Sequence, residues 1–573
     1  MKSMKKFVFW VICFVLIGSM VAGCAPTPTE PAAPAAPAQS TSAPAAPAEK
    51  PTDAPKPTEE VKPAEVEEKV LRIGIGGEED SFDPATGTTA TPQYVIKVAY
   101  RGLFSFAEDG TLKNELCTDY TISDDGLVYT FNLRKDAKWS DGVPVTAKDF
   151  VYGFRRELVP ELKAAYADMM SAIVNFAPVF AGEQPLEDFG VKAVDDYTFE
   201  VTLSFPQPYF PLMTTFSPFF PLREDKVPMD SFNWSKENVA DIVTNGPLKF
   251  SEYVANEKIV LVPNPESYEK DLVKLDRVEF YFIPDPQTQV AAFKTGEIDM
   301  AFVPPTDVSM TYENKDEIKN VPYLANNIYL FSSRVPVFQD IRVREAITIA
   351  INRAQIAEIL GGANRPLYAL IPPGITNPAT GKDFREEGGD IIVEDVARAQ
   401  QLLADAGYPG GEGFPEISWM YNNLPMHNDV SQAVQAMLKD NLGITLNLQQ
   451  LDSATFGSER RAGNFEITRL GTSADYVDPT TWLNLYISST GYIERVSGYL
   501  TPEFDALMEE SNLLLDPGPR FEKLHEAEVE LLSEFWWIPI SIYSKEMLQK
   551  DYVTGVFTTT AGDIFMQYAD IVK

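Results

Sequence analysis

LRKDAKWSDGVPVTAKDFVY, residues 133–152, is the stretch that decides the fold class. It follows an apolar-rich run over residues 127–133, which predicts a strand, and it passes through a polar turn that ends near Gly142. Thr146 is then suited to be an N-cap that accepts a hydrogen bond from a free amide, and Asp149 stands beside the positive helix end. The stretch therefore predicts a strand, a turn and a helix in succession.

Strand and helix patterns also alternate on either side of this stretch. Residues 70–75 form an apolar-rich first strand, and residues 197–203 alternate like another strand. Thr91 is a plausible N-cap for a helix, and apolar residues repeat at helical spacing over residues 343–351. The interleaving predicts an α/β architecture, and about 500 residues are too many for one core, so at least two lobes are expected.

The N-terminal segments have a composition unlike that of the folded body. Residues 1–23 carry three lysines and an apolar run over residues 7–20, and residues 21–24 read Val-Ala-Gly-Cys, which resembles a bacterial lipobox. That resemblance implies cleavage before Cys24 and acylation of its thiol. The alternative is a retained membrane anchor, but a run of about 14 residues is short for a bilayer that requires roughly 20. Residues 24–69 are rich in Pro and Ala and are predicted to be a disordered tether.

Charge and cysteine content exclude some classes of protein. The formal charge is 48 − 83 = −35, and removing the three lysines of the signal gives 45 − 83 = −38 for the mature chain, which argues against a nucleic-acid partner. Cys117 is the one thiol left in the mature body besides the lipid-bearing Cys24. No intramolecular disulfide is therefore expected.

The most informative polar residues surround a predicted strand end at residues 466–470. Arg469 precedes Asp475 by six residues, with Gly471, Ser473 and other small residues between them. A fixed cation, a fixed anion and accessible backbone amides are what a zwitterionic ligand requires. The alternative is that Asp475 or Asp478 merely caps a turn, and these residues alone leave both interpretations open.

Residues 133–152 resemble the signature block of bacterial extracellular solute-binding proteins of the oligopeptide/dipeptide-binding family, which are the substrate-binding lipoproteins of ABC transporters. Six shorter motifs follow in the expected order: residues 197–203 (YTFEVTL), 245–250 (NGPLKF), 296–300 (GEIDM), 343–346 (VREA), 402–408 (LLADAGY) and 474–476 (ADY). The resemblance implies a two-lobe periplasmic-binding-protein type II-like fold with an extra subdomain inserted in the first lobe. Motif order assigns residues 70–104, 206–324 and 540–573 to the first lobe, 105–205 to the insert and 325–539 to the second lobe.

The resemblance also implies a ligand site. An aspartate at the position of Asp475 pairs with the α-ammonium of a peptide, and an arginine at the position of Arg469 lies in the pocket. Main-chain groups that hold the peptide would fall at Gly471 and Ser473 and in the early loop at Glu78 and Glu79. Tyr166 matches a pocket tyrosine, although a core aromatic is the alternative. Independently of the resemblance, the aromatic side chain of Trp419 is a candidate to stack on a sugar ring or to lie in the core.

Some positions depart from the family pattern. Thr472 and Ser473 replace a Trp-Cys pair of enterobacterial relatives, so an aromatic wall and a disulfide are missing. A lysine that meets longer peptides is replaced near Gly361 and Gly362, with Arg365 as a candidate substitute. The preferred peptide length is left open by these differences.

No sequence motif indicates an enzyme. Neither His427 nor His525 belongs to a catalytic or metal-binding motif, and both are expected to be exposed on polar helix faces. We therefore expect no catalytic residue, cofactor or metal. The expected function is that of a membrane-anchored, extracytoplasmic, monomeric receptor that passes oligopeptides to ABC permease subunits. The alternative is an oligosaccharide-binding protein of the same fold, which the charges of Arg469 and Asp475 disfavour because a neutral sugar would leave both unpaired.

Overall fold

The predicted strand, turn and helix around residues 133–152 are present in the computed structural model, which describes residues 68–77, 81–87, 90–232, 234–237, 239–302, 312–488 and 492–572. Thr146 is the N-cap of the helix Ala147–Arg156 and forms a capping box with Asp149. The Thr146 amide donates to the Asp149 carboxylate at 2.8 Å, and the Trp139 indole donates to it at 3.2 Å. The signal segment, the tether, Cys24, Glu78 and Glu79 lie outside the described residues.

The strands are numbered along the chain as follows: β1 (Val70–Ile75), β2 (Phe104–Phe106), β3 (Leu112–Asn114), β4 (Cys117–Ile122), β5 (Val128–Leu133), β6 (Val191–Asp195), β7 (Thr198–Thr202), β8 (Leu248–Val254), β9 (Lys258–Pro263), β10 (Arg277–Phe282), β11 (Met300–Phe302), β12 (Ile318–Val321), β13 (Ala325–Phe331), β14 (Arg365–Pro366), β15 (Ile417–Asn422), β16 (Leu446–Leu451), β17 (Ile467–Ser473), β18 (Trp537–Ile542), β19 (Lys545–Gln549), β20 (Val553–Thr554), β21 (Phe557–Thr558), β22 (Ile564–Phe565) and β23 (Asp570–Ile571).

The helices are α1 (Ala90–Ala99), α2 (Ala147–Arg156), α3 (Phe176–Phe180), α4 (Phe210–Met213), α5 (Trp234–Glu237), α6 (Pro286–Thr295), α7 (Ile341–Ile349), α8 (Arg353–Leu360), α9 (Phe384–Gly388), α10 (Val396–Asp405), α11 (Pro425–Leu442), α12 (Ser453–Ala462), α13 (Thr480–Leu483), α14 (Tyr492–Val496), α15 (Pro502–Asn512) and α16 (Pro517–Ser533).

Three sheets organise the chain. The first has the order β12-β19-β11-β1-β10-β9-β8, with β1 parallel to both β10 and β11. The second has the order β14-β18-β13-β17-β15-β16. An antiparallel sheet, β4-β5-β7-β6, is formed by residues between β3 and α4, where an inserted subdomain was expected. The C-terminal strand β19 pairs with β11 and β12, so the chain returns to the first sheet after leaving the second.

Each large sheet has its own hydrophobic core, and each core also buries one aromatic residue from the other lobe. The core of the first sheet extends into the β4-β5-β7-β6 sheet, and the second core surrounds the second sheet. Phe106 of β2 is buried in the second core, whereas Tyr476, which follows β17, is buried in the first. Tyr476 stacks on Tyr209 with ring centroids 5.5 Å apart. The stacked rings of Tyr209 and Tyr476 therefore join the two lobes beside the end of β17.

Three predicted boundaries differ from the observed ones. Strand β17 continues past Leu470 to Ser473, because β13 pairs with it as far as Ala325 opposite Ser473. Strand β18 stays in the second sheet up to Ile542, so a lobe boundary after residue 539 would cut a continuously buried strand. Helix α1 begins at Ala90, and Thr91 inside it donates its hydroxyl hydrogen bond to the Gly76 carbonyl, so Thr91 is not the N-cap.

Candidate ligand-binding site

A cavity of about 180 Å³ lies where the first-sheet elements meet the end of β17, and we call it the central cavity. Helix α1, strand β2, the inserted subdomain and the C-terminal segment all contribute to its wall. Its lining includes Lys97, Phe106, Tyr166, Tyr323, Asp475 and Asp563. Three larger surface hollows among the described residues, of about 650, 460 and 250 Å³, lie elsewhere and contain none of the predicted site residues.

Asp475 lines this cavity, and its carboxylate has no partner among the residues that the structure describes. Its backbone amide donates to Thr481 Oγ1 at 3.1 Å, but no donor among the described residues reaches the carboxylate oxygens. The turn is capped instead by Asp478, which accepts hydrogen bonds from the Thr480 amide at 3.0 Å and the Thr480 hydroxyl at 2.6 Å. The capping role considered for Asp475 therefore belongs to Asp478.

Burial raises the pKa of the Asp475 carboxyl to about 6. Desolvation disfavours the charged form, and no neighbouring cation offsets it. Burial and the charge of the nearby Asp475 carboxylate together raise the pKa of Tyr166 to about 12. An incoming ammonium group would supply the partner that this carboxylate lacks.

Arg469 lies on β17 in a polar cluster formed with α11, β15 and the segment after β18. Its guanidinium donates to Asn422 Oδ1 at 3.1 Å and to the Tyr543 hydroxyl at 2.8 Å. His427 Nε2 lies 3.0 Å from the same hydroxyl. Burial and the charge of Arg469 lower the pKa of His427 to about 3, so the imidazole is neutral. Within the described ranges no carboxylate pairs with Arg469, which leaves it able to accept an anionic group.

Strand β17 has an open edge between these two charges. It pairs with β13 along its whole length, but with β15 only through Ile467 and Thr468. Beyond Thr468 no described strand pairs with this side of β17. This edge lies at the carboxyl ends of the parallel strands β15 and β17, where ligands of open α/β sheets commonly bind. A Cβ on Gly471 would lie 2.5 Å from Arg469 Nη1, so glycine allows the guanidinium to lie against this strand.

Two further predicted residues lie at the central cavity. Ser473 is exposed at the end of β17 and lines the cavity together with Tyr323. Tyr166 lines the cavity from the inserted subdomain and packs edge-on against Phe216, with ring centroids 4.7 Å apart. The structure thus brings Tyr166, Ser473 and Asp475 together.

Two expectations about side-chain exposure require correction. Trp419 is fully buried, stacks on Tyr329 at 4.1 Å and donates to Ser431 Oγ at 3.2 Å, so it packs in the second core and does not line the central cavity. Its ring is buried because β15 lies inside the second sheet and is covered on both faces. His427 is 3% exposed, because it shares the inward-facing stripe of α11 with Ser431 and Val434.

Comparisons with known proteins identify the family of the chain. The model for bacterial extracellular solute-binding proteins, family 5 middle, matches residues 111–494. The dipeptide-binding protein DppE of Bacillus subtilis is 32% identical over 505 residues, which cover 88% of this chain and 92% of the relative. The periplasmic oligopeptide-binding protein OppA of Salmonella typhimurium is 31% identical over 491 residues, with 84% and 88% covered.

The chain belongs to the bacterial extracellular solute-binding proteins of family 5. Among solved structures, Listeria monocytogenes OppA bound to peptide superposes with a TM-score of 0.71 at 28% identity, covering 88% of this chain and 100% of that one. These similarities confirm the two-lobe type II fold and the family that residues 133–152 predicted. None of the helices in the described ranges is long and apolar enough to cross a membrane.

Several residues of this family 5 protein that face the site were missed from the sequence. They are Lys97, Phe106, Tyr323, Lys545 and Asp563 at the central cavity, and His427 and Tyr543 beside Arg469. Most stand in segments whose sequence patterns carry no functional motif, so only the fold brings them together. The apolar repeat of residues 427, 430 and 434 was the one local signal, and it could have indicated that His427 is buried.

Proposed function

We propose that this family 5 protein is an extracytoplasmic receptor that binds oligopeptides along β17 and delivers them to an ABC importer. The observation that carries the proposal is Asp475, a largely buried carboxylate without a partner, in line with the unpaired Arg469 along an open strand edge. The names of the relatives, which are dipeptide- and oligopeptide-binding proteins, support the same ligand class. They give no support to the oligosaccharide alternative.

The peptide would add to β17 as an extended strand. Main-chain groups of Gly471 and Ser473 would hold the backbone of the peptide. Asp475 would bind its ammonium group, and Arg469 with Tyr543 would bind an anionic group further along the peptide. Residues 469 and 473 are about 13 Å apart in a strand, which matches three to four extended residues. This pairing of charges requires a zwitterion, since a neutral sugar would leave two desolvated charges unpaired.

The ligand that co-purifies with the tag-free mature domain tests this function. Mass spectrometry of the material released by denaturation is expected to give short peptides with free N-termini. Calorimetry of the stripped and refolded domain should then give tighter binding for a tripeptide than for the same tripeptide with an acetylated N-terminus. Release of an oligosaccharide, with no heat from any peptide, would refute the proposal.

We also propose that Cys24 becomes lipid-modified and anchors the receptor to the outer face of the membrane beside its permease, as a monomer. Each buried methylene of an acyl chain contributes about 0.8 kcal/mol to membrane binding. The full-length protein made in a bacterial host should therefore enter the detergent phase on phase partitioning, whereas Cys24→Ser should stay in the aqueous phase. Aqueous partitioning of the unaltered protein would contradict the lipid anchor.

A further inference from the structure

Lys545 is a second unpaired charge in the central cavity. It begins β19, and its ammonium lies 3.9 Å from the centroid of the Tyr323 ring. Within the described residues no carboxylate lies within ion-pairing distance of it. The nearest acid that influences it is Asp563, which already forms an ion pair with Lys97. Gly562 permits this arrangement, because a Cβ there would lie 2.9 Å from the Tyr323 ring.

Lys545 and Asp475 do not neutralise each other. Burial alone raises the pKa of Asp475, and the pKa of Lys545 is lowered to about 8 by burial together with the charge of Lys97. No ion pair joins the two groups, and the Lys545 ammonium lies against the Tyr323 ring instead. The amine still carries its proton at neutral pH, so among the described residues the cavity is lined by one cation and one anion that have no ion-pair partner.

The charges of the cavity indicate what a complementary ligand carries. Lys97 and Asp563 form a neutral ion pair. The opposite charges of Lys545 and Asp475 also sum to zero, although the two side chains do not pair. A peptide whose first residue is uncharged would bring only an ammonium and leave Lys545 without a partner. A volume of about 180 Å³ corresponds to about six water molecules, enough for one residue of a peptide.

We propose that Lys545 makes this receptor selective for peptides whose first residue has a carboxylate side chain, such as aspartate or glutamate. The proposal rests on the function proposed above, because it requires the ammonium of the same residue to lie at Asp475. The side-chain carboxylate then accepts a charge-assisted hydrogen bond from the Lys545 ammonium within the central cavity. Aromatic rings of Phe106, Tyr166 and Phe216 enclose the aliphatic part of the side chain.

Calorimetry with Glu-Ala-Ala and Gln-Ala-Ala tests the selectivity, because the two peptides differ only in the charge of the first side chain. The wild-type protein is expected to bind Glu-Ala-Ala about 10- to 100-fold more tightly, as a charge-assisted hydrogen bond contributes this much. Lys545→Met should abolish the difference, and Lys545→Arg should keep most of it. Lys148→Met is the matched control, since it removes an exposed lysine paired with Asp196 and should leave the ratio unchanged.

The outcomes separate this proposal from the proposed function. Equal binding of both peptides, each lost on N-acetylation, would overturn the role of Lys545 and leave the peptide receptor standing. Absence of binding by both peptides would overturn the two proposals together. A third arm compares Ala-Ala with Ala-Ala-amide. If amidation weakens binding by the wild type but not by Lys545→Met, then Lys545 receives the terminal carboxylate of a short peptide, and selectivity for an acidic side chain is refuted.

Discussion

Replacing Asp475 with alanine is expected to weaken the binding of a free tripeptide by about 2 to 5 kcal/mol, equivalent to roughly 30-fold or more. The carboxylate is largely buried, has no partner among the described residues and lines the central cavity. Removing it strands the ligand's ammonium in a site poor in water, and this adds to the lost charge-assisted hydrogen bond. Calorimetry with the refolded, ligand-free domain measures the change.

A double-mutant cycle distinguishes this role from a structural one. An N-acetylated peptide has no ammonium, so it should bind the wild type weakly and lose much less on going to Asp475→Ala. Asp475→Asn is the size-matched control that removes the charge and keeps the shape. A coupling energy near zero between the acetyl group and the Asp475 substitution, with both proteins folded, would show that Asp475 does not hold the ammonium.

The raised pKa of Asp475 gives the same prediction a pH dependence. The ammonium complex requires the ionised carboxylate, so affinity should fall by up to about tenfold per pH unit as the pH drops below about 6. A peptide ammonium has a pKa near 8 and keeps its charge over this range. Asp475→Asn should bind weakly with little pH dependence between pH 4 and 7. An unchanged wild-type affinity from pH 7 to 5 would contradict the role of this carboxylate.

The stability of the ligand-free protein should change in the opposite direction. The folded pKa lies above the ordinary value of 3.8, so the folded state holds the proton more tightly, and the ionised carboxylate costs stability above pH 6. That cost disappears as the pH falls towards 4. Asp475→Asn should therefore be more stable than the wild type at pH 7 by up to about 3 kcal/mol, because each unit of the raised pKa corresponds to about 1.4 kcal/mol. A loss of affinity with a gain in stability excludes misfolding as its cause.

Asp478→Ala is expected to destabilise the folded protein by about 3 to 5 kcal/mol. The Asp478 carboxylate receives two hydrogen bonds from Arg520 of α16, at 2.7 and 2.8 Å, and both side chains are at most 5% exposed. The Arg520 guanidinium also lies 5.3 Å from the centroid of the Tyr209 ring. Removing the carboxylate leaves a desolvated cation and releases the turn that carries Asp475. Urea unfolding of the ligand-free domain measures the loss.

Asp516→Ala is the matched control for this prediction. Asp516 is the N-cap of α16, accepts a hydrogen bond from the Gly518 amide at 3.0 Å and is exposed. Its removal should cost about 1 kcal/mol, as the loss of an N-cap usually does. Equal destabilisation by the two alanine substitutions would mean that the pair with Arg520 contributes nothing beyond a cap. Joint replacement of Asp478 and Arg520 by apolar residues should recover part of the loss.

The local sequence pattern was sufficient to predict a strand or a helix wherever its buried side chains recur at the period of that element. Strand β1, helix α2 and its capping box follow from neighbouring residues, because a strand buries every second side chain and a cap satisfies amides three residues away. The family motifs and the spacing of Arg469 and Asp475 are properties of the sequence as well. They identified the fold and the anion that faces the central cavity.

Where a strand ends, and which of its side chains are buried, depended on the strands and helices that pack against it. Small residues after Leu470 predicted a strand end, but β13 supplies hydrogen bonds as far as Ser473. Trp419 packs in the second core because of its neighbouring strand and helix, whereas the apolar repeat of residues 427, 430 and 434 could have indicated locally that His427 is buried. Pattern alone does not distinguish a buried aromatic residue from one that lines a site.

The family resemblance predicted Tyr166, Ser473 and Asp475 at the central cavity, and the tertiary structure decided the rest of its composition. Lys97, Tyr166, Tyr323, Asp475 and Lys545 come from five separate segments, and no local period relates them. Their chemistry is set by burial and by the nearest charges, which raise the pKa of Asp475 and lower that of Lys545. The sequence thus determined the fold, the family and one charge of the site. Which charges remain unpaired depends on distances between chain segments that only folding fixes.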